Sequence, residues 1–295
     1  MKSTRPDFTA WFVLQGTIAA LHQPAFSQTA DADTLNLLEI LALEAGRTRL
    51  LSKLIHHLPF HWQYRIGEWV TSTGRLRHFY LRKQEIEKQT RQRLLFGGIK
   101  QVVVLGAGLD VLALRLAKEF PDVNFIEIDR AESQAFKTAA LLAHDMSLGD
   151  NIELVSGDLR NPLWEILAQA KLHNRGEKTL WIAEGLLMFM PEENVAALFD
   201  QLQNNCAPAS YCVFTTVGSI GQRAICARML RKLYLRVEKC PYHWVIDARN
   251  VSKFIMRWRY SMVEQVDCAR LHRDLGGNWG GVGNDVGDDI NVINI

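Results

Sequence analysis

The chain has 295 residues, 48% of them hydrophobic and 22% charged, with a formal net charge of +2. That length suffices for one large domain, or a domain with a cap, and the composition is ordinary for a soluble globular protein. Near-neutral charge excludes the electrostatic footprint of a nucleic-acid or membrane-surface binder, and no run reaches the ~20 apolar residues of a membrane span.

Phe12 to Leu21 is mildly apolar, and Ala25-Phe26-Ser27 could serve as a cleavage site. Asp7, Gln15 and Thr17 weigh against an export signal there. Residues 8–95 read as helical throughout. Leu35, Leu37, Leu38, Ile40, Leu41 and Leu43, then Leu50, Leu51, Leu54 and Ile55, recur at helical intervals. Pro24 and Pro59 interrupt them. A helix is expected over Tyr80–Leu95, ended by Gly97-Gly98, a pair suited to a helix C-terminus.

From Gln101 the pattern changes to strands alternating with helices, the signature of a parallel sheet covered on both faces. Strands are expected at 101–105, 123–128, 152–155, 179–184 and 210–217. Helices are expected at 111–120, 131–146, 161–173 and 191–206. A basic amphipathic helix follows over 222–239, and a late strand or hairpin over 254–268. The chain thus divides into a helical cap (1–95), a nucleotide-binding type of core (96–275) and a tail (276–295). The tail is rich in Gly, Asn and Asp and is expected to be poorly ordered. Five cysteines, Cys206, Cys212, Cys226, Cys240 and Cys268, form no CxxC pair. They read as free thiols in a reducing compartment, so a cytoplasmic location is expected.

The chemistry concentrates at strand ends. Val102-Val103-Val104-Leu105 runs into Gly106-Ala107-Gly108, where bare backbone lets a ligand approach closely. The third glycine of a dinucleotide fingerprint is replaced by Val111, which disfavours a nicotinamide or flavin oxidoreductase. Asp110 just after the turn would repel a diphosphate and suits a cationic or zwitterionic ligand. S-adenosylmethionine, with a sulfonium, an ammonium and no phosphate, is such a ligand. Asp129 ends the second strand, where it could accept from two ribose hydroxyls or cap the next helix. Asp158 could accept from an adenine amino group, with Leu159 on the ring, or cap a helix before Pro162. Glu184 ends a buried strand and needs a partner, either a ligand ammonium or an arginine. Gly185 lets the chain turn away from the cleft.

Gln101 to Asp110, Arg115-Leu116, Phe125 to Asp129, Asp158-Leu159 and Glu184-Gly185-Leu186-Leu187-Met188-Phe189-Met190, in that order, resemble the leucine carboxyl methyltransferase family. That family includes bacterial O-methyltransferases related to polyketide-synthesis enzymes. The resemblance is firm over residues ~80–217, because several motifs fall in order. It implies a Rossmann-like class I methyltransferase fold: α/β, a seven-stranded mostly parallel sheet with helices on both faces, and an N-terminal helical cap. It implies S-adenosyl-L-methionine as cofactor, bound by Arg82, Gly106, Ala107, Gly108, Asp110, Asp129, Arg130, Asp158, Leu159, Glu184 and Gly185. Arg82, in Arg82-Lys83-Gln84-Glu85-Ile86-Glu87, would clamp the methionine carboxylate. The alternative is a helix charge paired with Glu85 or Glu87, with Arg91 or Arg93 as the clamp. The implied acceptor is a carboxylate or hydroxyl of a small molecule or peptide, with neither nucleic acid nor membrane as partner.

Two departures stand out. Val111-Leu112 replaces a Thr-Arg pair common in the family, which removes a hydroxyl and a charge beside the cofactor and leaves an inactive, methyltransferase-like binding protein as an alternative. Phe189 stands near a common tyrosine. The motifs name no catalytic residue, no general base and no oligomeric state. His56-His57 and His61 lack the further ligands of a metal site, so no metal is expected. The basic 222–239 segment reads as a solvated face, or as a roof selecting an acidic acceptor. Trp62, Trp69 and Trp244 read as core. No Asn/Asp-Pro-Pro-aromatic run follows the fourth strand, which argues against nucleic-acid N-methylation.

Overall fold

A computed structural model describes residues 8–24, 26–27, 31–47, 59–71, 74–218, 242–276 and 288–295. The predicted 222–239 helix, residues 277–287 and the Leu50–Ile55 repeat lie outside these.

Four helices come first: α1 (Phe8–Leu21), α2 (Ala32–Arg47), α3 (Phe60–Thr71) and α4 (Arg75–Phe96). Trp11, Leu14 and Ile18 of α1, with Leu37, Leu38 and Leu41 of α2, are buried, as the helical spacing requires. Helix α4 starts five residues before its predicted position. The carboxylate of Glu68 in α3 fixes that start by accepting from the Gly74 and Leu76 amides, the latter at 2.7 Å. A carboxylate satisfying free N–H groups at a helix N-terminus is a cap supplied from a distance. Gly97 ends α4 by donating its amide to the Arg93 carbonyl at 2.8 Å, and Gly98 adopts φ 66°.

The core follows as β1 (Gln101–Leu105), α5 (Leu112–Glu119), β2 (Asn124–Asp129), α6 (Ala131–Leu142), β3 (Ile152–Ser156), α7 (Leu163–Leu167), β4 (Thr179–Ala183), α8 (Glu192–Leu202) and β5 (Tyr211–Thr216). It closes with α9 (Ala248–Ile255), β6 (Ser261–Val266), α10 (Cys268–Gly276) and β7 (Asp289–Asn294). The seven strands form one sheet in the order β3-β2-β1-β4-β5-β7-β6. Strands β1 to β5 pair in parallel, and β7 runs antiparallel to both β5 and β6. This is the seven-stranded, mostly parallel sheet that the family resemblance implies. Val103 and Trp181 are fully buried at the sheet centre, as expected for strands covered on both faces. The N-terminal helices, α5 and α6 cover one face. Helices α7, α8 and α9 cover the other.

Four expectations are corrected. The predicted helix at 161–173 is only Leu163–Leu167. The Gln101 side chain holds both backbone groups of Asn174, donating to its carbonyl at 2.7 Å and accepting from its amide at 3.0 Å, and draws the chain off a helical path. The predicted 131–146 helix stops at Leu142, because the chain reverses at Asp145 with φ 54°. The late strand is confined to β6, since residues 248–258 are helical turns. The end of the supposedly unordered tail is β7, an interior strand with Ile290, Val292 and Ile293 fully buried. Its buried Asn291 is satisfied, accepting from Gln265 at 2.7 Å and donating to Thr216 at 2.9 Å. Trp244 is core, whereas Trp62 is exposed.

Because β7 sits between β5 and β6, truncating one of its buried side chains opens a cavity in the sheet. Ile293→Ala should cost about 2–5 kcal/mol of unfolding free energy in urea titrations. A loss below about 1 kcal/mol, the level of an ordinary surface change, would contradict the interior position of β7.

Candidate functional site

The strand order reverses between β1 and β4, and the carboxyl ends of β1, β2, β3 and β4 open into one cavity of about 440 Å³. Ligands bind at such a switch point in open α/β sheets, because the flanking loops diverge there. The volume lies within the range of small-molecule and cofactor sites.

The turn after β1 forms the floor. The Gly106 amide donates to the Ile128 carbonyl at 2.8 Å, which locks the turn to β2. Gly106 adopts φ 68° and Gly108 φ 52°, a region that side chains avoid. A Cβ on Gly106 would lie 2.8 Å from Leu186 Cδ1, so a larger residue there would intrude on the loop after β4.

Asp129 braces this turn. One carboxylate oxygen accepts from the Gly108 amide at 2.7 Å and the other from the Arg130 amide at 2.7 Å. A carboxylate has about four acceptor sites, so both oxygens keep capacity for a ligand. Beneath the turn lies the buried pair Lys137–Glu127, at 2.6 Å. The Lys137 ammonium also donates to the Asp110 carbonyl. Burial pushes the Glu127 carboxyl up, and Lys137 offsets this only in part.

A chain of charges crosses the cavity wall. Lys83 pairs with Asp110 at 2.5 Å and with Glu184 at 3.2 Å. Arg82 pairs with Glu184 at 2.9 Å and with Asp288 just before β7. Burial alone would raise the Asp110 carboxyl. The Lys83 ammonium, its hydrogen bond and the Leu112 amide outweigh burial and hold the carboxyl well below the usual range. Burial likewise opposes the Arg82 charge, yet Glu184 and Asp288 raise its pKa. For Lys83, Asp110 and Glu184 have the same effect against burial.

Every residue expected at the cofactor site lines this cavity: Arg82, Gly106, Ala107, Gly108, Asp110, Asp129, Arg130, Asp158, Leu159, Glu184 and Gly185. Two expectations about their state change. Asp110 is not a bare negative charge, since Lys83 meets it. Glu184 has its arginine, so Arg82 is committed to two carboxylates. Glu85 pairs instead with Lys88 and Glu87 with Arg91 and Arg115. Arg91 and Arg93 do not line the cavity; Arg93 lies over the Tyr211 ring. Asp158 pairs with Arg160 and stays partly exposed.

Sequence reasoning missed Lys83, Arg160 and His243, as well as the cavity roof formed by Thr9, Ala10, Val13 and Leu14 of α1 with Leu38 of α2. Lys83 had a signal in its position beside Arg82; the others had none. The His243 amide donates to the Met188 carbonyl at 2.8 Å, which seats this residue at the cavity rim beside the Phe189–Tyr242 ring contact. No helix among the described residues is long and apolar enough to cross a membrane.

The family model described as leucine carboxyl methyltransferase matches residues 19–203. A Mycolicibacterium smegmatis protein, provisionally named an S-adenosyl-L-methionine-dependent methyltransferase, is 38% identical over 191 residues, 60% of this chain and 59% of its own length. A Streptomyces coelicolor protein with the same provisional name is 33% identical over 156 residues, 51% of each chain. The chain thus spans about half the length of the curated relatives it matches. Among solved structures, a Thermobifida fusca protein provisionally named a methyltransferase superposes with TM-score 0.61 at 15% identity, covering 99% of this chain and 96% of that one. A DUF574 family protein from Streptomyces avermitilis gives TM-score 0.61 at 12% identity, over 78% and 89% of the two chains. These likenesses carry the fold.

The depressed Asp110 carboxyl has a consequence for stability. A group whose folded pKa lies below its unfolded value stabilises the fold above the unfolded pKa and loses that effect as pH falls. The stability advantage of wild type over Asp110→Asn should therefore shrink between about pH 5 and pH 2 in urea titrations. A difference independent of pH would contradict the Lys83–Asp110 pairing.

Proposed function

Because this chain belongs to the leucine carboxyl methyltransferase family, we propose that it is an S-adenosylmethionine-dependent O-methyltransferase acting on a carboxylate or hydroxyl. The observation that carries the cofactor reading is the set of carboxylates at four sheet tips around one cavity, with a diglycine turn beneath them. The cradle fits this group. Gly106 leaves open backbone where a Cβ would strike Leu186.

The residues divide the work by charge. Glu184 accepts from the ammonium of the amino-acid end, and Arg82 and Lys83 hold Glu184 in place. Asp129 accepts from the ribose hydroxyls and keeps the glycine turn closed against β2. Asp158 and Leu159 take the adenine, one by hydrogen bond and one by packing. When bound, the cofactor supplies an electrophilic methyl on a sulfonium. Ala10, Val13 and Leu14 from α1 exclude water above it, so charges inside the cavity interact more strongly than in bulk water.

Positioning supplies most of the catalysis in such a transfer, because the acceptor oxygen must lie in line with the methyl. A carboxylate acceptor is already ionised at neutral pH and needs no base. A hydroxyl acceptor benefits from one. Among the described residues lining the cavity, Asp110, Asp158 and Glu184 are each paired with a cation. His243 is the imidazole at the rim and is the residue we assign to take a hydroxyl proton.

Asp129→Ala and Glu184→Ala should each weaken S-adenosylmethionine or S-adenosylhomocysteine binding by ~1–3 kcal/mol, roughly 5–150-fold by calorimetry. Unchanged affinity in both variants would remove the site assignment. Incubation with methyl-labelled cofactor and matched panels of carboxylic acids and phenols tests the acceptor class. A base-labile product marks an ester and a base-stable one an ether. His243→Gln should lower kcat on hydroxyl acceptors by about 100-fold or more and spare carboxylates. Equal losses on both would sink its role as a base.

A further inference from the structure

The fold brings together a set of side chains that lies apart from the cofactor cavity. Cys268 and His272 stand four residues apart on α10, so they share one helix face. His78 of α4 meets them across the interface, 194 residues away in sequence from His272. All three are buried, and their donor atoms lie within 4.8 Å of one another. Nδ1 of His78 is 3.3 Å from Nε2 of His272 and 3.6 Å from Sγ of Cys268.

These spacings match a tetrahedral metal centre. With zinc–nitrogen bonds of 2.0–2.1 Å and a zinc–sulfur bond of 2.3 Å, tetrahedral geometry sets nitrogen–nitrogen edges of about 3.3 Å and nitrogen–sulfur edges of about 3.6 Å. His272 is only 9% exposed, so the Nε2 that faces His78 lies in a place closed to bulk solvent.

We propose that His78 Nδ1, His272 Nε2 and Cys268 Sγ form a structural binding site for a zinc-class divalent cation. Thiolate with imidazole is the donor set that favours zinc over the oxygen-seeking cations. Water completes the usual four ligands. Coordination replaces two protons. The Cys268 thiol proton leaves to solvent. The His78 ring proton moves from Nδ1 to Nε2, so the Asp288 amide, which donates to Nε2 at 2.9 Å, gives up that acceptor. The site would clip α10 to α4 one helical turn before Arg82, beside the residue that Arg82 grips at the start of β7. It stands independently of the methyltransferase reading. The sequence expectation of no metal considered only His56, His57 and His61, because nothing in the linear order pairs His78 with α10.

The test uses the full chain, stripped with chelator and titrated with cobalt(II), then zinc(II). One cobalt per chain should bind with a thiolate-to-cobalt charge-transfer band in the near ultraviolet, and zinc should displace it. The melting temperature should rise with zinc. Cys268→Ser and His272→Ala should each weaken binding on the order of a hundredfold or more. A Cys226→Ser/Cys240→Ser double variant, which leaves the three donors intact, should keep the band. If the single variants fail to fold, the wild-type spectrum and zinc competition decide. A wild-type spectrum without the thiolate band, a band that survives Cys268→Ser, or a band lost in the double variant alone would overturn the proposal. In the first case the three side chains are a hydrogen-bonded cluster only.

Discussion

The ion-pair chain Asp110–Lys83–Glu184–Arg82–Asp288 is the constraint on which the rest of the structure depends. It joins the turn after β1, the tip of β4 and the start of β7 to two consecutive residues of α4. Arg82 and Glu184 are nearly inaccessible to solvent. Forming such pairs contributes little net stability, because desolvation consumes most of the Coulomb gain. Removing one partner is costly, about 3–5 kcal/mol, because a buried charge is left alone. The ion-pair chain fixes where α4 meets the sheet, and with it the position of the carboxylates that face the cavity.

A second buried pair works in the same sense one layer down. Lys137 joins Glu127 on β2 to the backbone of Asp110. Asp129 ties the tip of β2 to the Gly108 amide. The glycine turn is thus held from below by an ammonium, from the side by a carboxylate and from above by the Lys83 pair. A turn braced on three sides is preorganised, so little ordering is left for a ligand to bring about. The N-terminal helices complete the enclosure, because α1 lies along α4 and presents Ala10, Val13 and Leu14 to the cavity.

The legible parts of the molecule were those whose chemistry is local. Val102 to Asp110 reads as strand and turn because β-branched residues run into glycines within ten positions. Asp129, Asp158 and Glu184 were found because each follows an apolar strand, and strand ends converge in a parallel sheet. Pairing between distant segments was not legible. The sequence left open whether Glu184 meets an arginine or a ligand, and the partner proved to be Arg82, 102 residues earlier. Strand β7 was hidden by its setting, because Asn291 and the preceding Gly/Asn/Asp-rich stretch carry little strand propensity. Ile290, Val292 and Ile293 become a strand only because β5 and β6 supply partners on both sides. His243 and the roof of α1 had no motif, since their places at the cavity follow only from where the fold carries them.

The most direct test of the central claim, that the charged chain and the glycine turn together form the cofactor cradle, is a crystal structure of the full chain with S-adenosylhomocysteine. The ligand's amino group is expected against the Glu184 carboxylate, its ribose against Asp129 and its backbone contacts at Gly106 and Gly108. A ligand bound away from the β1–β4 crevice, or one that leaves Glu184 facing only Arg82 and Lys83, would contradict it.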